Sequence, residues 1–262
     1  MHNISKVLLL SYQKEMESNL VFQCLNIVDS TNNYAMAQIH AGLASHGMGF
    51  FANGQTAGKG QRFKSWHSQP GENILMSVII VPPAAFSTQP FLFNACISLA
   101  CKQFLERIVS EKVNIKWPND LFIRDRKAGG ILIENNFRGK SWNWAVIGIG
   151  INVNQIGFPE MQRIPISLKQ ITEKTYNPEL LARHLRKHIV DYIDSLQELN
   201  TEEIMKAYNE ALYLSGQTVK MKQNDELFDT AIVEVSSEGQ LITQDEVERK
   251  FNFGEVEWVV AP

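Results

Sequence analysis

The sequence predicts an α+β fold in two unequal parts. Between residues 21 and 214, apolar strand-like runs alternate with segments whose apolar residues recur every three or four positions. After Ser215 the helical spacing stops, and short strands separated by polar turns take over. The 262 residues, 44% of them hydrophobic, suffice for one large core and one small one. The expected division is a tail or extra helix over 1–20, a main domain over 21–214 and a small SH3-like β-barrel over 215–262.

Leu20–Val28 reads as the first strand. Asp29-Ser30-Thr31-Asn32 then clusters four N-capping residues, which starts a helix running to about Ala41. A helix start also presents free N–H groups, so Ser30 and Thr31 are candidates for ligand contact as well as caps. Met48–Ala52 is a strand that leads into Gln-Thr-Ala-Gly-Lys-Gly-Gln-Arg-Phe-Lys-Ser-Trp, from Gln55 to Trp66. That stretch should not be regular structure, and it suits an anion. Gly58 and Gly60 let the backbone turn through positive φ and bring N–H groups close to a ligand, while Lys59, Arg62 and Lys64 add charge a polyphosphate can use.

Asn73–Val81 is a buried strand closed by Pro82 and Pro83. The basic loop is therefore slung between two strands, unlike a P-loop, which runs directly into a helix. The spelling fails as well, because Gly54 and Gly58 are separated by three residues instead of four and Gly60 follows Lys59 where a Ser or Thr is required. Pro90–Val109 places Phe93, Ile97, Ala100, Phe104, Leu105 and Ile108 at helical spacing and is a core helix. Val113–Trp117, the turn Pro118-Asn119-Asp120, Leu121–Ile123 and the charged hairpin Arg124-Asp125-Arg126 lead to a strand through Gly129–Glu134. Ala145–Asn152 is another strand, with Gly148 and Gly150 on one face by its two-residue period. Two such positions without side chains mean that an element or a flat ligand lies against that face.

Asn177-Pro178-Glu179 caps a helix reaching Leu199, and Thr201-Glu202-Glu203 opens a second that ends near Leu214, with Gly216 as its stop. His184 and His188 are four apart but no third ligand follows at a useful spacing, which favours a solvated face over a metal site. Thr218–Lys222, Phe228–Ser236, Leu241–Thr243, Lys250–Phe253 and Val256–Val260 are the strands of the barrel.

Composition narrows the function classes. A net charge of −3 with no basic block excludes a broad nucleic-acid footprint, so a polyanion must be held locally. Residues 1–20 leave no room for a helix-turn-helix reader before the first strand. Cys24, Cys96 and Cys101 are odd in number and lack paired spacing, as expected of reduced cysteines in the cytoplasm. Val7–Leu10 is too short for a signal-peptide core, and no run reaches the ~18 apolar residues of a membrane helix.

Asp29-Ser30-Thr31-Asn32, Gln55 with Gly58-Lys59-Gly60 and Trp66, Lys116-Trp117-Pro118-Asn119-Asp120, Lys127-Ala128-Gly129-Gly130-Ile131-Leu132 with Glu134, and Gly148-Ile149-Gly150-Ile151-Asn152 occur in an order and at spacings that resemble biotin–protein ligases. The likeness spans roughly Leu20 to Pro262, in the short form without an N-terminal DNA-binding domain. It implies a catalytic domain on a mixed β-sheet with flanking helices, related to that of class II aminoacyl-tRNA synthetases, followed by an SH3-like barrel. It also implies the reaction: biotin and ATP, with Mg²⁺, give biotinyl-5′-adenylate and pyrophosphate, and the biotinyl group then passes to one lysine of a biotin carboxyl carrier domain. A lipoate or octanoate ligase of the same fold, or a non-catalytic biotin-binding module, are the alternatives. Family members are often dimers, so a homodimer is a further expectation, with neither nucleic acid nor membrane as partner.

The resemblance distributes roles. Gln55, Ser30 and Thr31 meet the ureido edge of biotin, a bicyclic apolar ring with one polar rim, Asn32 is a further binding residue, and the backbone of Gly130 and Leu132 with the open positions Gly148 and Gly150 holds the ring. Lys127 lies between carboxylate and α-phosphate, where one fixed cation is commonly worth ~3 kcal/mol of transition-state stabilisation. Gly58, Lys59, Gly60, Gln61 and Arg62 face the phosphates, Asn119 and Asp120 position nucleotide, Mg²⁺ or the incoming amine, Asn152 lies at the nucleotide and Trp66 covers the adenine or closes the loop. The loop departs from the family pattern of several arginines: Lys59 and Lys64 keep charge without the bidentate fork, Gln61 carries none, and Phe63 replaces a glycine. A looser hold on the reactive adenylate is the expected consequence.

Overall fold

The computed structural model describes residues 21–139, 141–158, 165–196 and 200–259, without the side chain of Phe63. The expected tail over 1–20 lies outside these residues, as do 197–199 and 260–262, where a predicted helix and a predicted strand were to end. Strands β1 (Phe22–Val28), β2 (Gly49–Gln55), β3 (Asn73–Ile80), β4 (Asn114–Lys116), β5 (Asp120–Ile123), β6 (Arg126–Arg138) and β7 (Ser141–Asn152) form one sheet in the order β1-β2-β3-β7-β6-β5-β4. Only β1 and β2 run parallel, so the sheet is mixed.

Alternation along β3 decides what each face does. Ile74, Met76, Val78 and Ile80 point into the large core, where helices α2 (Pro90–Glu106) and α4 (Pro178–Ser195) cover the sheet and α5 (Thr201–Glu210) packs on α2. Leu75, Ser77 and Ile79 point the other way. There α1 (Thr31–His40) covers Phe50, Ile79 and Val146 through Ala35 and leaves the rest of the face open. Ser77, polar in a strand whose eight residues are all buried, marks the border between packed and open face.

A short helix, α3 (Leu168–Thr172), lies in a stretch where the sequence reading recognised no element, although its capping box, Ser167 with Gln170, is a legible signal. The predicted helices otherwise stand, with α2 ending three residues before Val109 and α5 four before Leu214. His184 is exposed as expected. His188, however, is half-buried beside Phe104 and Tyr192 with an unpartnered Nε2, and burial lowers its pKa, so it belongs to no solvated face.

The second sheet contains β8 (Thr218–Gln223), β9 (Glu226–Val235), β10 (Leu241–Gln244), β11 (Glu248–Phe251) and β12 (Glu257–Val259), all antiparallel in the order β11-β10-β9-β8-β12. It docks beside β4 and β5. Trp117 Nε1 donates to Gly239 O at 3.0 Å, and the Asn209 side chain exchanges two hydrogen bonds with the Val235 backbone. Gly239 has φ +87° and lies so close to Phe91 that a Cβ would come within 2.5 Å of its ring, so both conformation and space require glycine there. No helix among the described residues is long and apolar enough to cross a membrane.

Candidate active site

Register builds the site before any side chain is considered. Leu75, Gly150, Gly130, Asp120 and Lys116 are successive cross-strand partners over β3, β7, β6, β5 and β4, and Ser77, Gly148 and Leu132 form the next row. Directly opposed residues share a face. Both rows therefore lie on the open face, and the Gly130–Gly150 pair with Gly148 makes a flat floor.

Lys127 reaches this face only because of an irregularity. It is three residues from Gly130, and regular alternation would send it into the core. The β5–β6 ladder shifts register between Leu121 and Phe122, pairing Phe122 with Lys127, so Ala128 is taken up in a bulge and the alternation is switched. Lys127 Nζ then meets Asp120 Oδ1 at 2.7 Å directly above Gly130, where a Cβ would stand 3.3 Å from that Nζ.

The floor opens into a cavity of about 860 Å³. At one end, α1 begins. Ser30 Oγ accepts from Asn32 N–H as the N-cap, and Thr31 N–H donates to Gln55 Oε1 at 2.7 Å. With that oxygen engaged, the amide nitrogen of Gln55 is the group left to serve a ligand. Ser77 Oγ lies 2.8 Å from Thr31 Oγ1 and 2.6 Å from Asn32 Oδ1, while Asn32 Nδ2 donates to Glu134 Oε2 at 2.7 Å. Glu134 in turn pairs with Lys59 of the basic loop at 3.2 Å. A continuous polar chain thus ties Gln55, Thr31, Ser77, Asn32, Glu134 and Lys59 together across the cavity wall.

The basic loop is more regular than its composition suggests. Gly60 N–H donates to Lys64 O, Trp66 N–H donates to Gly58 O, and Lys59 bridges Ser65, making a small hairpin with a 3₁₀ turn at 61–63. Its glycines do not supply positive φ, since that falls to Arg62 at 53°. They supply closeness, because a Cβ on Gly58 would meet Trp66 O at 2.5 Å and one on Gly60 would meet Lys64 O at 3.0 Å. Gly148 and Gly150 are occupied in the same sense. Asn32 sits on the first and the Trp66 indole on the second, with Lys127 Nζ 5.6 Å from the Trp66 ring centre. The Trp66 Nε1 is buried without a partner.

Of the residues singled out from sequence, Ser30, Thr31, Asn32, Gln55, Lys59, Gly60, Gln61, Arg62, Trp66, Asp120, Lys127, Gly130, Leu132, Gly148, Gly150 and Asn152 all line the cavity. Two do not. Gly58 lies under Trp66, and Asn119 is buried behind the wall, donating to Ile131 O at 2.7 Å. Asn152 lines the cavity with its amide donating to Lys127 O and Ile166 O, so it fixes the backbone that carries Lys127. Tyr208 holds the Pro118 carbonyl of the turn before Asp120, and burial, with the Asp120 charge nearby, pushes its phenol well above the ordinary range, so it remains a neutral donor. Sequence reasoning missed Lys116 and Phe122 and, from the barrel, Met221, Phe253 and Trp258 as cavity residues, and it missed Ser77 as the buried link between Thr31 and Asn32. A polar residue in the middle of an apolar strand was the available signal for Ser77. The barrel residues carried none, because only docking brings them to the cavity.

Residues 24–152 match the biotin/lipoate A/B protein ligase family. The bifunctional ligase/repressor BirA of Bacillus spizizenii is 34% identical over 173 residues, 65% of this chain and 52% of that protein. The biotin–[acetyl-CoA-carboxylase] ligase of Paracoccus denitrificans is 28% identical over 158 residues, 58% of this chain and 64% of its own length. Among solved structures, a biotin protein ligase from Aquifex aeolicus in complex with biotin and ATP shares the fold at a TM-score of 0.76 and 24% identity, covering 91% of this chain and 99% of that one. The chain spans about half the length of the first curated relatives it matches.

Proposed function

Residues 24–152 of the chain belong to the biotin/lipoate A/B protein ligase family, and from that premise we propose that the protein is an ATP-dependent biotin–protein ligase. In this reading residues 21–214 are the catalytic domain and 215–262 an accessory barrel, and the acceptor is a lysine of a biotin carboxyl carrier domain. The observation that carries it is the Lys127–Asp120 pair above the glycine floor, flanked by a polar pocket on one side and the cationic loop on the other.

Biotin takes the α1 end of the cavity, its ureido edge against the Gln55 amide, Thr31 and Asn32 and its ring on the Gly130, Leu132, Gly148 and Gly150 backbone. Trp66 must leave Gly150 for the ring or the adenine to enter. The biotin carboxylate then attacks the α-phosphate of ATP and pyrophosphate leaves. Lys127 exchanges Asp120 for the two approaching anions, and Lys59, Gln61 and Arg62 face the departing phosphates. Asp120, released from Lys127, is placed to take a proton when the acceptor amine attacks the acyl carbon and AMP leaves. Asn119 and Asn152 hold the wall and the Lys127 backbone rather than substrate.

Among the described residues no three His, Cys, Asp or Glu side chains converge into a metal cage. This fits Mg²⁺ that arrives on the nucleotide phosphates and takes at most one or two protein carboxylates, with Asp120 the donor on the floor. Bound there, Mg²⁺ neutralises phosphate charge.

The test is ATP–pyrophosphate exchange dependent on added biotin, run in parallel with lipoate and octanoate. Exchange with biotin alone is expected. Exchange driven by lipoate or octanoate instead, or none with any acid, refutes the assignment.

A further inference from the structure

Lys116 stands at the edge of the floor, opposite Asp120 in register. Its Nζ lies 5.6 Å from the ring centre of Phe122 and 5.3 Å from that of Trp258. An ammonium within about 6 Å of an aromatic face is attracted by the ring quadrupole, most strongly by tryptophan. Phe122 comes from the same sheet, but Trp258 comes from β12 of the barrel, where it pairs with Met221. Tyr213 closes the group, its ring centre 4.8 Å from Phe122 and 6.1 Å from Trp258. Lys116, Phe122 and Trp258 all line the cavity, as do Phe253, Gly254 and Glu257 of the barrel, and Gly254 lies close to Arg62.

Lys116, on a three-residue edge strand, places its ammonium against both rings, and one of them belongs to a different sheet. We propose that Trp258 is a positioning residue: it holds the Lys116 ammonium at the nucleotide end of the cavity, so that the barrel completes the cation set that receives ATP. The inference rests on the nucleotide-binding reading above and extends it to the barrel.

ATP affinity is measured by calorimetry on the full chain, for wild type, Trp258→Leu, Trp258→Phe, Lys116→Met and the double variant Lys116→Met/Trp258→Leu. A cation–π contact of this kind predicts roughly three- to tenfold weaker ATP binding for Trp258→Leu, most of it restored in Trp258→Phe, with no further loss when Lys116 is already methionine. Fluorinated tryptophans installed at position 258 keep the shape of the ring while draining its negative face. Affinity that falls stepwise with fluorination supports the contact, and this series does not depend on the barrel tolerating leucine. A flat series, or equal ATP binding by wild type and Trp258→Leu, overturns the proposal alone. Wild-type protein that binds no ATP overturns the functional reading with it.

Discussion

Replacing Gly148 by alanine tests whether the polar chain across the cavity wall is structural as well as functional. A Cβ at that position would overlap Asn32 Oδ1 and stand 2.9 Å from its Cγ and Nδ2. Asn32 is 3% exposed and anchored at the start of α1, so it cannot tilt into water. To clear the methyl group it must give up Ser77, a neutral bond worth about 1 kcal/mol, and Glu134, a charge-assisted one worth about 1.5–3 kcal/mol. Its long contact to Leu132 O at 3.4 Å adds little. Alanine in a strand recovers about 0.5–1 kcal/mol over glycine. The net cost is then about 1.5–3.5 kcal/mol, or a fall in Tm of roughly 3–14 °C for a chain of this size. Thermal unfolding followed by circular dichroism reads the stability, and biotin titration reads the pocket, where affinity should fall in parallel because Thr31 and Gln55 lose their support through Ser77. Gly150→Ala is the contrasting variant. Its Cβ would meet the Trp66 indole at 2.5 Å, but Trp66 lies on a loop and has no side-chain hydrogen bond to lose, so Tm should barely move. A Gly148→Ala protein that melts within 2 °C of wild type and binds biotin equally well would refute the reasoning.

Lys127→Ala should reduce biotin-dependent ATP–pyrophosphate exchange by about 10²-fold or more while biotin binding changes little, because the lost cation acts where charge moves and not where the ring sits; retained exchange rules out its assigned role. Gln61→Arg should lower the release of free biotinyl-adenylate relative to wild type by restoring a charged, forked donor facing the phosphates, and equal release from both removes the idea. Thiol labelling at pH 8 should find one slow cysteine in the native protein and three after denaturation. Burial pushes Cys96 to about 12 and Cys101 higher still, and Cys24, though exposed, is raised by burial and by its contact with Glu179, which leaves little thiolate until the pH rises further. Glu179→Gln should speed the labelling of Cys24, and three fast thiols in the native state would contradict the burial pattern.

Much of this protein was written in local pattern. The N-cap cluster at Asp29–Asn32, the two-residue spacing of Gly148 and Gly150, the buried strand at β3 and the switch to short strands after Ser215 each follow from the chemistry of neighbouring residues, so each could be read in sequence order. Nearly all the residues that the short-range signals singled out do line the cavity, because they are grouped in motifs. What a linear reading could not supply was the meeting of distant elements. Lys127 faces the floor because of a register shift against β5, the Gly58–Gly60 hairpin needs glycine for closeness to Trp66 and Lys64 rather than for positive φ, and Asn119 turns away to serve the wall. Trp258 reaches Lys116 across 142 residues of chain only after the barrel has docked. Strand period and capping are properties of a few adjacent residues, and sequence therefore determines them. Register, bulges and the approach of one sheet to another are settled by the packing of the whole chain, and that packing decides which of the coded side chains share the cavity.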